Sequence, residues 1–421
     1  MYNRSALIKY GAALAPLALT TSLLAACADS DSSASGSTEG CGPDLKYGIL
    51  TAFTGELGEF GKTSKNGFDI AFNEMTSSGA LPEGWKISEV VADEKADIQV
   101  GLRAATDMMQ RDKVSAILGP SSGPIVAMAS VAKRYKTPII SQFAGTTNFS
   151  KVGGEYLFRT VASDASDGEA TAQYLREKKA ENVAIVVQND QSTITAGEAA
   201  AERFEAAGGT VVDTFKYNPG QPSYQAVVQK ALKADADAIY LAGGQESAIT
   251  ILKEMRGLGV ESSKLIVSAD LVVPDVISAV GKDWAEGLAG VTAKADTERP
   301  EYTKFAEAYQ AEYDEEPGIF VENAYDAAIL VGLAAVSAKS TCAAAIAEAL
   351  PEISAPDGTD VTSFADGAKA LANGDKINYE GASGPVDFDE TGTVVGSYAV
   401  YNVEGGEWSV VKFYPADTFA K

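Results

Sequence analysis

The sequence predicts an α/β protein built as two doubly wound parallel-sheet lobes. Short apolar runs alternate with stretches of helical period, and the alternation occurs in two successive series. The chain is also long: of its 421 residues, the body from position 43 onward exceeds one typical domain and suits two.

The first series opens with a buried strand at 46–50. A helix follows, with Phe68, Ala71, Phe72 and Met75 on one face. Then come a strand at 87–92, a helix marked by Val100, Ala104 and Met108, a strand at 114–118, a helix at 127–135 and a strand at 138–141. Strands bounded by helices at this interval imply a parallel sheet covered on both faces. The second series runs through strands at 183–187, 210–217, 238–242 and 265–269, with helices at 198–207, 224–233 and 247–258 between them. Beyond Arg299 the pattern is mainly helical to Leu350. Strands at 395–403 and 408–414, split by Glu404-Gly405-Gly406, close the chain as a β-hairpin. Two such lobes place a cleft at the strand carboxyl ends, where ligands of open α/β sheets bind.

Ahead of the body, Arg4 and Lys9 precede an uncharged run from Gly11 to Ala26. The run is shorter than the ~20 apolar residues of a membrane-spanning helix and ends in small residues, which reads as a signal peptide. Leu24-Ala25-Ala26-Cys27 resembles the bacterial lipobox, so Cys27 is expected to carry acyl chains, each contributing about 0.8 kcal/mol per buried methylene at a bilayer. The Ser-, Asp- and Gly-rich tract after it buries nothing and reads as a tether. The alternative is an ordinary secretory signal in which the cysteine carries no lipid.

Composition excludes several functions. With 58 acidic against 34 basic residues and a net charge of −24, the surface repels nucleic-acid phosphates, and no nucleic-acid partner is expected. The chain has no histidine, which removes Ser-His-Asp and Cys-His catalysis and His-ligated zinc. Neither a metal nor a cofactor is implied. After Cys27 only Cys41 and Cys342 remain. In an oxidising compartment they are either a disulfide pinning the start of the body to a distant helix or two free buried thiols.

Gly55-Glu-Leu-Gly58-Glu-Phe-Gly61-Lys62-Thr63 misses the phosphate-loop spacing by one residue and carries two glutamates, so it reads as a loop opening a helix. Leu118-Gly119-Pro120-Ser121-Ser122-Gly123 leaves a strand and enters a helix. Its N–H groups and hydroxyls suit a carboxylate, or only cap the helix. Ser141-Gln-Phe-Ala-Gly145-Thr146-Thr147 leaves the next strand in the same way. Asp164, in Ser163-Asp164-Ala-Ser166-Asp167-Gly168, and Asp270, after the strand at 265–269, are either turn formers or partners of a ligand ammonium.

Taken together, these segments resemble the type I periplasmic-binding-protein family of ABC-transporter receptors, in particular the branched-chain amino-acid (Leu/Ile/Val) binding proteins. The resemblance rests on "LTAFTGELGEFG", "LGPSSG", "TPIIS", "FRT", "VASDASDG", "WAEGL", "AYDAA" and "INYEGASGPVDFDETG", in that family's order over more than three hundred residues. It implies a multi-segment hinge and the following division: signal peptide 1–26; anchor cysteine and tether 27–42; first lobe 43–163; second lobe 164–293; return to the first lobe 294–394; and a second-lobe hairpin 395–421.

The resemblance also implies a site. Ser121 or Ser122, with Gly145 or Thr146, would hold a ligand carboxylate and part of the ammonium. Asp164 and Asp270 stand where the family places acidic ammonium partners, and Phe60 and Phe320 where aromatic rings line the side-chain pocket. Ser192-Thr193 replaces the family's Tyr-Gly, Gln245 replaces a pocket aromatic, and Phe143 replaces a small residue. The preferred solute is therefore a branched-chain or other small amino acid, or an amide. A lipid-anchored monomer outside the cytoplasm, delivering its ligand to permease subunits, is expected. A ligand-sensing module of the same fold and a carboxylate-based hydrolase are the alternatives.

Overall fold

Apolar residues bury strand β1 (Asp44–Thr51) along most of its length, as a strand covered by helices on both faces requires. From it the chain continues through α1 (Gly58–Ser77), β2 (Lys86–Asp93), α2 (Ile98–Asp107), β3 (Ala116–Leu118), α3 (Ser122–Tyr135), β4 (Ile139–Ser141) and β5 (Leu157–Arg159). The five strands form one parallel sheet in the order β2-β1-β3-β4-β5. This computed structural model describes residues 41–419, so the expected signal peptide, Cys27 and most of the tether lie outside the described residues.

A second set follows: α4 (Asp164–Glu177), β6 (Asn182–Gln188), α5 (Gln191–Ala206), β7 (Thr210–Tyr217), α6 (Gln225–Lys233), β8 (Ala238–Ala242), α7 (Gln245–Gly257), β9 (Leu265–Val267), α8 (Pro274–Val280), α9 (Lys282–Ala285) and β10 (Ala289–Ala293). The chain then runs through α10 (Pro300–Tyr313), α11 (Val321–Ala338), α12 (Ala343–Ile353), β11 (Thr359–Val361), α13 (Phe364–Asn373) and β12 (Ile377–Tyr379) to the hairpin β13 (Tyr398–Glu404) and β14 (Glu407–Tyr414). The second sheet has the order β14-β13-β10-β9-β8-β6-β7, with only the hairpin strands antiparallel.

The helices after β10 belong to the first sheet. Residues of α10, α11, α12 and α13 share one apolar cluster with Tyr47, Phe68 and Met75, and Tyr47 Oη donates to Ala328 O at 3.1 Å. Helix α11 is apolar enough to cross a membrane but is buried from Val321 through Ala335, which marks it as a core helix. Two of the motifs quoted above serve this packing rather than a ligand. Asp326 of "AYDAA" accepts from Tyr379 Oη, Ala382 N–H, Ser383 N–H and Ser383 Oγ at 2.6 to 2.9 Å. A buried carboxylate met by four donors joins α11 to the loop after β12.

The chain therefore crosses between the sheets after β5, after β10 and before β13. Two of the crossings run side by side, with Lys294 N–H donating to Ser397 O at 3.0 Å and Ser397 Oγ to Lys294 O at 2.6 Å. The third is held by Thr160 and Asn323, which exchange hydrogen bonds of 2.8 and 2.6 Å.

Several elements differ from the sequence reading. Helix α5 begins at Gln191, not 198, because Asp190 caps it by accepting from Thr193 N–H, and this cap overrides the β-branched run that follows. Helix α2 ends in a π-turn at Met108–Asp112, and the strand expected at 265–269 stops at Val267, with a 3-10 turn at Ala269–Leu271. Helix α4 was not anticipated; its first turns are polar and carry little apolar period.

Cys41 and Cys342 are joined by a disulfide, Cα atoms 5.3 Å apart and 301 residues distant in sequence. It fastens the first described residue to the N-cap of α12. Cys342→Ser is expected to lower the unfolding free energy by about 2–5 kcal/mol, measured by urea denaturation. Equal stability of the two proteins under non-reducing conditions would contradict this.

Candidate functional site

Where the two sheets face each other, two connected spaces open. The outer one, about 500 Å³, is lined by Ser121, Ser122, Gln188, Asp190, Ser192, Gly244 and Asp270, with Glu56 and Lys95. The inner one, about 50 Å³, is lined by Phe143, Gly145, Asp164, Asp167, Ser192, Tyr240, Ser268, Asp270, Phe320 and Tyr398. Ser192 and Asp270 border both. A larger hollow between α4 and α5 lies on one lobe alone and contains none of the expected site residues.

Of those residues, Ser121, Ser122, Phe143, Gly145, Asp164, Ser192, Asp270 and Phe320 line these spaces. Three stand one layer behind. Phe60 packs against Phe320 with ring centroids 6.0 Å apart. Thr146 is fully buried, 3.2 Å from Thr195 Oγ1. Gln245 opens α7 beside the outer space, with its Nε2 buried and without a partner among the described residues.

The inner space is held from below by Arg159, the fully buried last residue of β5. Its Nη1 donates to the carbonyls of Ala144, Gly145 and Thr146 at 3.0, 2.8 and 3.1 Å, and its Nε to Thr393 Oγ1 at 3.0 Å. The guanidinium also lies 4.6 Å from the Phe149 ring centroid. Burial lowers its pKa to about 10, so it stays charged at neutral pH. The loop it gathers must contain glycine at 145: a Cβ there would sit 1.9 Å from Asp164 Oδ1. Gly145 O in turn accepts from Asp164 N–H at 2.8 Å. Gly145 thus makes room for the carboxylate.

Burial raises the carboxyls on the inner wall. Asp164 rises to about 6 despite the opposing charge of Arg159 and a hydrogen bond from Thr195. Asp270 rises to about 7, helped by the like charges of Asp190, Asp164 and Glu56. Asp167 rises well above the usual range for the same reason, with Asp164 and Asp270 adding to it. Phe320, the N-cap of α11, has φ of 68°, a left-handed conformation that costs a bulky residue about 1–3 kcal/mol and clusters at ligand sites.

The outer wall collects three helix N-termini, and each meets a carboxylate of the chain itself. Glu94 accepts from Ser121 N–H at 2.8 Å at the start of α3, Asp190 caps α5, and Glu56 accepts from Ser247 Oγ at 2.7 Å in the first turn of α7. Sequence reasoning missed Glu94, Glu56, Asp190, Asp167, Tyr240 and Ser268. Asp167 stood inside a quoted motif, and Tyr240 was the one hydroxyl-bearing residue of an aliphatic strand. Gly119-x-Ser121-x-Gly123 also has the spacing of a hydrolase nucleophile turn between strand and helix, which the sequence reading passed over. The chain has no histidine to serve as the base of a Ser-His-Asp triad at this serine, and Ser121 N–H donates to Glu94.

A profile of the family described as periplasmic binding protein matches residues 44–407. The chain belongs to the periplasmic binding proteins. Among its relatives, the Leu/Ile/Val-binding protein BraC3 of Rhizobium johnstonii is 26% identical over 371 residues, 86% of this chain and 93% of the relative. The crystal structure of the leucine-binding protein LivK of Thermotoga maritima superposes with a TM-score of 0.75 at 22% identity, covering 89% of this chain and 99% of that one. A solute-binding protein of an ABC transporter from R. palustris, in complex with benzoate, superposes at 0.71 and 20% identity, covering 88% and 97%. The fold of this periplasmic binding protein is therefore the type I architecture of two parallel-sheet-rich lobes.

The carboxyl elevations carry a stability consequence. Asp270 holds its proton to about pH 7 in the folded protein but loses it near 3.8 when exposed. The folded state therefore binds more protons between those values, and Asp270 makes stability fall as pH rises through that window. In the ligand-free protein, Asp270→Asn is expected to gain stability relative to wild type between pH 4 and pH 8, at about 1.4 kcal/mol per pH unit of displacement. Thermal unfolding at both pH values checks it; parallel curves would rule out the buried-carboxyl account.

Proposed function

We propose that this protein is an extracytoplasmic receptor of an ABC transporter that binds without turnover. It captures a small amino acid or amide by closing its two lobes and passes it to the permease. The reading rests on one observation above all: Ser121 and Ser122 at the start of α3 line the outer space together with Asp270, Asp164 lines the inner one, and Ser192 and Asp270 border both. A dipolar solute shut away from water needs hydrogen-bonding partners at both ends. In this reading Ser122 and Ser121 take the carboxylate end, and Asp270 and Asp164 take the ammonium. Phe143 and Phe320, backed by Phe60, cover the carbon skeleton. Thr146 and Gln245 act from behind the wall. The names of the relatives, which bind leucine, isoleucine and valine, support an amino acid, and the benzoate complex supports recognition of a carboxylate.

The same reading makes residues 1–26 a signal peptide, 27–42 an anchored tether on Cys27, and the segments 43–163, 164–293, 294–394 and 395–421 alternate parts of two lobes. Incorporation of labelled palmitate in a bacterial host is expected for the full chain and lost in Cys27→Ser.

Thermal shift with a panel of amino acids, small amides and aromatic acids tests capture. A ligand present at a hundred times its Kd stabilises by about 2.7 kcal/mol, so one compound should raise the midpoint clearly. Asp270→Asn should weaken that compound at least tenfold by calorimetry. No stabilisation by any member of the panel would sink the proposal.

A further inference from the structure

The charges around the cleft do not balance for a neutral zwitterion. The inner space borders Asp164, Asp167 and Asp270 and no basic side chain. The outer space adds Glu56 and Asp190 against Lys95 alone. Arg159 lies behind the loop, its Nη1 and Nε committed to carbonyls and Thr393 and its Nη2 buried without a partner among the described residues; its charge offsets part of that of Asp164.

A second, independent observation points to an occupant. Tyr240 and Ser268 are 1% and 6% exposed, both line the inner space, and neither hydroxyl has a partner among the described residues. Leaving a buried hydroxyl unpaired is unfavourable, so two in one chamber mark a place where a polar group completes the set. At about 50 Å³, the chamber is the smaller of the two spaces and admits one end of a solute. The rings of Phe143 and Phe320, stacked with centroids 6.5 Å apart, form part of its wall, and ring faces also favour cations. Among the described residues no three acidic groups gather closely enough to ligate a metal ion, so the geometry suits an organic cation.

We propose that the solute carries more ammonium groups than carboxylates: a short α,ω-diamino acid whose terminal ammonium enters the inner chamber among Asp164, Asp167 and Asp270 and receives oxygens from Tyr240 and Ser268. Its α-amino-acid end remains in the outer space, beside Ser122 and Ser192. The proposal rests on the receptor reading above and narrows its ligand class. The elevated carboxyls agree with it, since a bound ammonium supplies the opposite charge that the empty chamber lacks.

The experiment is calorimetry on the purified, full-length protein with ornithine, lysine, putrescine, leucine, isoleucine, glutamine and calcium chloride. Ornithine or lysine is expected to bind at least tenfold more tightly than leucine or isoleucine. Tyr240→Phe, which removes one unpaired hydroxyl and keeps the ring, is expected to weaken the diamino acid three- to tenfold without lowering the unfolding midpoint of the ligand-free protein. Asp167→Asn should weaken it tenfold or more. Tighter binding of leucine, isoleucine or glutamine overturns the cationic assignment and leaves the receptor reading intact. Binding of calcium without any amine overturns it in favour of a metal ion. Silence from the whole panel overturns both.

Discussion

The guanidinium of Arg159 organises the site. It is fully buried, and a buried cation persists only where its hydrogen-bonding capacity is largely met. Three consecutive carbonyls and one hydroxyl meet its Nη1 and Nε, while its Nη2 is buried without a partner among the described residues. Those carbonyls belong to the loop leaving β4, and the hydroxyl is that of Thr393, just before the crossing back to the hairpin. One side chain therefore sets both the loop that seats Asp164 against Gly145 and the last segment of the first lobe. Arg159 N–H also donates to Gly392 O at 2.9 Å, which adds a backbone tie to the same segment. The position of Asp164, and through it of Thr195 on α5, follows from this arrangement.

The carboxylates obey a second constraint. Helix N-termini favour negative charge, and three of them converge on the outer space, which by itself would make a site for anions. The chain answers each with its own acid: Glu94, Asp190 and Glu56. Burial keeps Glu94 largely protonated, its pKa raised to about 8, so the start of α3 retains part of its attraction for a ligand oxygen. Asp190 and Glu56, with Asp164, add their charge to the burial that raises the Asp270 carboxyl.

Much of the fold was legible because buried parallel strands leave unbroken apolar runs. β1, β6 and β8 were readable on that ground, and α1 by its apolar face. What escaped had a different physical basis. Strand β5 is three residues long and ends in Arg159, a charge that reads as surface until its carbonyl partners from the preceding loop are known. Helix α4 starts with a run of Ser and Asp whose helical character depends on the Ser163 cap and on packing against α5. At the site, residues close to the strand ends were legible because turns after parallel strands face the cleft. Tyr240 and Ser268 were hidden because nothing local distinguishes a strand hydroxyl with a partner from one without. Glu94 and Glu56 were hidden because their partners are distant in sequence, 27 and 191 residues away.

The contacts across the cleft explain why closure would depend on a solute. Glu56 of the first lobe reaches Ser247 of the second at 2.7 Å, and Thr146 meets Thr195 at 3.2 Å. Each such bond contributes about 0.5–1.5 kcal/mol net, too little to hold two lobes of this size together against their freedom to separate. The Glu56 contact also brings a carboxylate toward Asp190 and Asp270; burial raises the Asp270 pKa most, and the charges of Asp190, Asp164 and Glu56 add to it. Apposition of the lobes therefore gains these hydrogen bonds and the packing of Phe60 and Phe320 with Ala269 and Val273, and it sets carboxylates against one another. A ligand shifts such an equilibrium only by the difference in its affinity for the two arrangements. A group carrying positive charge, set between Glu56 and the second-lobe carboxylates, has that difference built in: it is attracted to both lobes at once when they meet and to only one when they part.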